Sequence, residues 1–278
     1  MPAELDADTR AEAVVDALGL LYHEDLDPDD FMLFPESDGA TIETGDDATY
    51  WETADNTQDA FECLVRTILS QNTSDTASQP AHDSLMERYD GAGADLATAL
   101  AAADHASLAE TIKSAGLYNQ KAEKIIGAAE WVRTEYGDAA TFDEFVKTGV
   151  PSDVRDTLLS VDGVGPKTAD CVLLFAGGRS GVFPVDTHVH RIARRMGLAP
   201  ADAAHEAVRE ALEQSVPGEK CGFGHTAMIQ FGREYCSARK PACLEGPEAC
   251  PLSDLCDQVG VYPATGEVVD PSETAITE

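Results

Sequence analysis

Residues 158–195 read LLSVDGVGPKTADCVLLFAGGRSGVFPVDTHVHRIARR. The stretch joins a glycine-hinged turn, Gly163-Val164-Gly165, to one lysine, Lys167, and then to one aspartate, Asp186. Apolar residues at helical spacing flank the turn: Val154, Leu158 and Leu159 before it, Ala169, Val172, Leu173 and Ala176 after it. That pattern predicts two short helices joined by a hairpin whose backbone N–H groups face outward, an arrangement suited to an anion such as a phosphate. Pro166 fits the first position of the second helix, where its missing N–H is not needed. Lys167 then falls in the first turn of that helix, beside the hairpin.

Each of these features also has a plain reading. A Gly-x-Gly turn is commonly only a loop, a lysine in a helix's first turn is commonly surface charge, and Asp186 before Thr187 suits a helix cap. The rest of the chain has to decide.

Charge is the first constraint. The 278 residues carry 19 basic and 51 acidic side chains, a formal charge of −32, which argues against nucleic acid because phosphate binding calls for a basic surface. The distribution qualifies this. Residues 1–60 contain a single basic residue, Arg10, whereas residues 187–201 contain Arg191, Arg194 and Arg195 and no acid, a basic island on an acidic chain. An acidic, lysine-poor surface suits concentrated salt, where the Debye length falls to about 3 Å at 1 M, so a halophilic source is expected. Disorder is the other reading of high charge, but 43% hydrophobic residues with clear periodicity exclude it for most of the chain. With no leader-like N-terminus and no apolar run long enough for a membrane, the expectation is a cytoplasmic monomer that does not engage a membrane.

Helical periodicity dominates and no strand alternation stands out, so the fold class is all-α. Helices are predicted over 8–22, from a cap at Asn56 to Asp59 onward, and over 75–89, 95–103, 105–115, 121–136, 187–197, 202–214 and 223–235. In the second of these, Phe61, Leu64, Val65, Ile68 and Leu69 recur as a buried helix requires. Residues 23–56 form an acidic segment with no interpretable motif, and residues 261–278 read as a frayed acidic tail.

Seven cysteines in a cytosolic chain point to metal or catalysis before disulfides. Cys236, Cys243, Cys250 and Cys256 are spaced C-x6-C-x6-C-x5-C, wider than the tight pairs of zinc ribbons, whereas a four-thiolate [4Fe-4S] site needs only converging sulfurs. Iron–sulfur is the preferred reading, with zinc and coincidence as alternatives. Such a cluster would be structural, with Arg239 and Lys240 projecting from the loop between its first two ligands. Cys63, Cys171 and Cys221 sit in apolar contexts and read as buried free thiols.

Taken together, GVGPKTA followed by VDTHVHR resembles the helix-hairpin-helix DNA glycosylases of the endonuclease III type. The resemblance implies a six-helix barrel over about 57–180 with the hairpin at about 152–176. It implies a second domain made of the N-terminal helix (within 1–56) and residues 181–260, with the catalytic cleft between the two. The family's cysteine pattern is C-x6-C-x2-C-x5-C; this chain matches the first and last gaps and carries four extra residues, near Leu244 to Pro247, in the middle. By resemblance, Gln71 in SQNT fills the gap left by an extruded base, and Leu117 in GLYNQKAEKI is a wedge. From the residues alone, a helix-end cap and a core leucine are the simpler readings of those two. The implied partner is double-stranded DNA with a damaged base or an abasic site, met by Gly163, Val164, Gly165, Arg191, Arg239 and Lys240.

The implied activity is that of a bifunctional glycosylase and abasic-site lyase acting on oxidised pyrimidines, with Lys167 as nucleophile and Asp186 stabilising positive charge at the sugar. His188 and His190 receive no role. Bringing a lysine amine to neutrality takes about 4 kcal/mol, whereas a helix N-terminus supplies about 0.3–1 kcal/mol, so Lys167 is expected to be partly buried and not tightly paired with Asp186. Two other readings stand beside this one. Mismatch glycosylases acting on adenine or thymine generally lack the lysine, and a purely DNA-binding hairpin protein has no use for the Lys167–Asp186 pair.

Overall fold

Asp59 fixes the start of the helix around which half of the molecule is built. Its carboxylate accepts hydrogen bonds from the backbone N–H of Phe61 (2.8 Å) and Glu62 (3.1 Å), satisfying two donors that a helix start leaves open. The computed structural model describes residues 7–22, 59–91 and 93–274, so the acidic segment 23–56 and its cap at Asn56 lie outside the described residues. In chain order the helices are α1 (Arg10–Tyr22), α2 (Ala60–Ser70), α3 (Asp75–Tyr89), α4 (Leu96–Ala101), α5 (His105–Thr111) and α6 (Tyr118–Glu135). They continue with α7 (Ala139–Thr148), α8 (Pro151–Leu159), α9 (Pro166–Cys171), α10 (Thr187–Met196), α11 (His205–Ser215), α12 (Cys221–Glu234) and the single turn α13 (Pro271–Thr274). The chain divides into two compact units, one holding α2 to α9 and the other α1 with α10 to α13.

In the first unit α2 is the central strut. Phe61, Cys63, Leu64, Val65, Ile68 and Leu69 are fully buried on several sides of the helix, which contacts α3, α4, α6, α7 and α9. A helix apolar almost all round belongs inside a bundle. The sequence reading passed over α7, although its signals are local: Asp138 caps it by accepting from Thr141 N at 2.8 Å, and Phe142 and Val146 fill the core one turn apart. The hairpin follows. Gly163 adopts φ +83°, a conformation open to glycine and strained for other residues, and Gly165 precedes α9 in an extended conformation. After Cys171 the helix widens into a π-helical turn over Val172–Ala176. Across the hairpin, Arg155 Nε of α8 meets Asp170 Oδ1 of α9 at 2.6 Å, with the Asp170 side chain only 2% exposed.

In the second unit α1, α10, α11 and α12 share a core that includes Val14, Leu18, Phe183, Ile192, Leu212 and Phe231. Gly224 lets α12 approach closely, since a Cβ there would lie 2.9 Å from the Phe183 ring and 3.0 Å from Val15. Lys220 clamps α1 to the start of α12 through Glu12 and Asp16, both at 2.7 Å.

Two expectations need correction here. Residues 261–274 are folded: β1 (Val261–Tyr262) pairs antiparallel with β2 (Glu267–Val268), and Asp270 binds Arg194 at 2.7 Å. The hairpin is too short to show alternation, which is why the sequence suggested fraying. The basic island is largely interior: Arg194 and Arg195 are 6% and 3% exposed, because α10 turns that face into its own unit.

Candidate functional site: the glycine hairpin and the cysteine pocket

The first unit brings most of its candidate residues into one network. Gln71 ends α2, and its Nε2 donates to Gly163 O (3.0 Å) and lies 3.2 Å from Thr168 Oγ1. Its side chain thus does more than close a helix: it ties the end of α2 to the hairpin and to the turn carrying Lys167. Lys167 is half-buried. Val164 is buried, while Gly163 and Gly165 are partly exposed. Leu117 is 53% exposed and sits in the left-handed region at φ 47° immediately before α6, so it is not the core leucine of the simpler reading.

Two lysines that the sequence reading did not single out complete this face. Lys124 lays its aliphatic stem over Gly163, where an added Cβ would come within 2.6 Å of Cδ. Lys121 is buried, and burial, followed by the charge of Lys124, pulls its amine down to about 8. No local signal marks Lys121: it stands in the first turn of α6 beside Glu123 and Lys124, where a charged residue is ordinary.

Asp186 belongs to the second unit and Lys167 to the first, and each is placed within its own. Asp186 is the N-cap of α10: Oδ1 accepts from His188 N and Val189 N, both at 2.8 Å. The capping reading is therefore correct, and it leaves Oδ2 without a hydrogen bond among the described residues. A carboxylate held this way keeps a fixed direction. His188 has its imidazole lowered from its ordinary value, first by burial, and lies 3.1 Å from an Arg191 nitrogen.

The four C-terminal cysteines line one pocket with Arg195, Met196, Phe231, Tyr235, Leu252 and Val261 among its walls. None is in a disulfide. Among the described residues no three His, Cys, Asp or Glu side chains converge closely enough for a single metal ion, which needs sulfurs at about 2.3 Å. Four thiols spaced around an apolar hollow suit a larger group. Burial comes first among the causes that push the Cys243, Cys250 and Cys256 thiols up, Cys256 to about 11, and the neighbouring thiols add to this. Thiolates there call for a cationic group among them. Gln258 N already points at Cys256 Sγ (3.3 Å) and Arg195 at Cys236 Sγ (3.7 Å), donors of the kind that support metal-bound sulfur.

The arginines of α10 organise this loop. Arg195 donates to Ser237 O (2.7 Å) and Ala238 O (2.6 Å), and Arg191 donates to Cys236 O (3.0 Å) and Gly232 O (3.3 Å). Arg239 and Lys240 are exposed on a turn closed by Ser237 Oγ donating to Lys240 O at 2.7 Å. The four additional residues lie where the chain forms two short turns, Ala242–Glu245 and Pro247–Ala249, hinged at Gly246. Cys63, Cys171 and Cys221 are buried and not in a disulfide, and burial is the chief cause that raises Cys221 to about 12.

Comparison with known proteins agrees with this arrangement. The HhH-GPD superfamily base excision DNA repair protein profile matches residues 65–218, and the iron–sulfur binding domain of endonuclease III matches residues 236–256. Endonuclease III of Thermotoga maritima is 34% identical over 72% of this chain and 83% of its own length. Endonuclease III of Bacillus subtilis is 34% identical over 70% of this chain and 80% of its own. The structure of a trapped endonuclease III–DNA covalent intermediate superposes with a TM-score of 0.64 at 25% identity, covering 90% of this chain and 96% of that one. A non-covalent endonuclease III–DNA complex gives 0.63 at 26%, with the same coverage. Among the described residues no helix is long and apolar enough to cross a membrane. The chain belongs to the endonuclease III family, DNA glycosylases and abasic-site lyases of base excision repair that carry a [4Fe-4S] cluster.

Proposed function

We propose that Lys167 is the nucleophile, that Asp186 serves the sugar, and that the substrate is double-stranded DNA carrying an oxidised pyrimidine or an abasic site. The observation that carries this is the half-buried Lys167 at the start of α9, two residues beyond the glycine hairpin. Base removal needs the nucleotide turned out of the stack. Leu117 would enter the duplex as the wedge and Gln71 would fill the vacated position, while backbone donors of the hairpin hold the phosphates. Arg239 and Lys240 are exposed for backbone contact. Arg191 is better read as a support of the cysteine loop, since carbonyls of its own unit take its donors.

In the reaction, the lone pair of Lys167 Nζ forms a bond to C1′. The bond from C1′ to the base breaks, its electron pair leaving with the base, which takes up a proton. The C1′–O4′ bond then breaks, its electron pair leaving with O4′, which takes up the proton that Nζ gives up, and the opened sugar carries an iminium between C1′ and Nζ. Loss of a C2′ proton then drives cleavage of the C3′–O bond, and water releases the lysine from the imine. Asp186, its direction set by the α10 cap, stabilises the positive charge that develops at the sugar. Cys236, Cys243, Cys250 and Cys256 would hold the [4Fe-4S] cluster, which supplies structural cross-linking of the loop. The enzyme would work in the cytoplasm as a monomer.

Borohydride reduction in the presence of abasic-site DNA tests the central step. The expected result is a covalent protein–DNA adduct that is absent with Lys167→Ala. Folded, DNA-binding wild-type protein that yields no adduct would refute it. For the metal, four irons per chain are expected after anaerobic purification, and equimolar zinc with negligible iron would overturn the ligand assignment.

A further inference from the structure

The mechanism leaves a buried lysine unused. Lys121, 3% exposed, is the only buried lysine among the described residues. Its Nζ donates to Leu69 O (2.6 Å), Thr73 Oγ1 (2.6 Å) and Ala115 O (2.8 Å), three acceptors for the three N–H bonds of an ammonium. The positions of these acceptors matter. Leu69 lies two residues before Gln71 and Thr73 two residues after it, while Ala115 lies two residues before Leu117. Thr73 Oγ1 also stands 2.5 Å from Ala115 O and 3.1 Å from Gln71 O. One ammonium therefore grips both segments at points that bracket the two tips. Those tips need support, because Asn72 and Leu117 both hold positive φ without being glycine, at 53° and 47°.

Stability alone does not account for this choice. An apolar side chain of similar volume is usually as good as a buried charge, or better, at filling an interior. A cation is well suited to gathering carbonyls from the ends of two separate turns, where the backbone has acceptors to spare. Removing it would take the ammonium from Leu69 O and Thr73 Oγ1, leave Ala115 O to Thr73 Oγ1 alone, and free the α2 end to move relative to the Leu117 turn.

We propose that Lys121 is a positioning residue for base extrusion, fixing the spacing between Gln71 and Leu117 so that both enter the duplex as one rigid unit. This rests on reading Gln71 and Leu117 as the inserting residues, and it concerns the opening of the duplex rather than bond breaking at the sugar.

The test uses the cluster-loaded full chain and two duplexes carrying the same oxidised pyrimidine, one with a purine opposite it and one with an abasic spacer opposite it. Single-turnover cleavage rates give a paired-to-unpaired ratio, and 2-aminopurine opposite the lesion reports insertion by its fluorescence. For Lys121→Met the ratio should fall about tenfold relative to wild type, as a small misplacement of a positioning group predicts, and the fluorescence rise should be lost. Thr73→Val, which keeps the volume and removes the bridging hydroxyl, should lower the ratio in the same direction and carries the test if Lys121→Met does not fold. A wild-type ratio in these variants, whether both rates fall together or neither does, overturns the proposal. A wild type that forms no borohydride-trapped adduct would instead strike at the lysine chemistry. A wild-type ratio in both Gln71→Ala and Leu117→Ala would strike at the insertion reading on which this inference stands.

Discussion

The glycine hairpin and the cysteine loop each hold an irregular segment of chain in place, by opposite means. Around the hairpin the fastening is complete within the protein. Gln71 is bonded to Gly163, Arg155 to Asp170, and the Lys124 stem covers the turn. In the cysteine loop, arginines from α10 hold the backbone from outside through Cys236 O, Ser237 O and Ala238 O, while the inner wall consists of apolar side chains and the four thiols, those of Cys243, Cys250 and Cys256 pushed up by burial. On the proposed function the hairpin would be preorganised for a ligand that comes and goes, whereas the loop would be half of a structure whose other half is the cluster. Thiolates in an apolar pocket call for a cation among them, so cluster binding is expected to be coupled to folding of the loop.

Removal of iron should break this comparison open, with the largest effect expected anywhere in the molecule. Anaerobic chelation, or Cys256→Ser, should raise amide exchange across 236–258 by about a hundredfold or more, while α2 and the hairpin keep their protection. Equal loss in the two regions would mean that the hairpin also depends on the cluster. The next effect falls in the hairpin itself. Asp170→Ala removes the carboxylate that meets the Arg155 guanidinium at a site where it is 2% exposed, and should cost about 3–5 kcal/mol in denaturant unfolding. A loss below about 1 kcal/mol would show that the hairpin is held by its backbone alone.

The sequence carried the helices well wherever their signals were local. Asp59 before Phe61 and Leu64 marks the start of α2, and Asp186 before Thr187 marks that of α10, because a capping carboxylate and an apolar repeat act within one or two turns. It carried the family as well, since GVGPKTA and the spacing of the four cysteines are patterns within short stretches of chain. What it missed depends on distant partners. Arg194 and Arg195 read as surface charge until Asp270 and the carbonyls of residues 237 and 238 are brought to them. Lys121 looks like any lysine near a helix start, and its three acceptors are spread from residue 69 to residue 115. Burial of a cation follows from tertiary closure, which no window of residues contains.

Lys121 also gives the hairpin side a titration. Its folded amine lies near 8 against an ordinary value of 10.5. Between those values the folded protein has released a proton that the unfolded chain still holds. The cost of burying the charge is therefore fully present below pH 8 and is relieved as pH rises. Unfolding free energy should gain up to about 1.4 kcal/mol per pH unit from this group across that window. Comparison of the pH slopes of wild type and Lys121→Met checks the sign. An identical slope would mean that the three acceptors offset the burial.

The smallest effect should come from the outer fastening of the cysteine loop. Arg10 pairs with Asp257 at 2.8 Å, but the two side chains are 39% and 54% exposed. The same guanidinium also donates to Leu255 O at 3.0 Å and to Met196 O. Asp257→Ala therefore removes a solvated ion pair while leaving the carbonyl bonds in place, and should cost less than about 1 kcal/mol, and less again in high salt. The measurement is the midpoint of cluster loss on heating, at low and high ionic strength. A loss that matches Asp170→Ala and vanishes in salt would invert the comparison: the loop would then depend on exposed charge, and the arginine-to-carbonyl bonds of α10 would be secondary. The burial of Arg195 against its carbonyls argues for the small effect, because those bonds lie where salt does not reach.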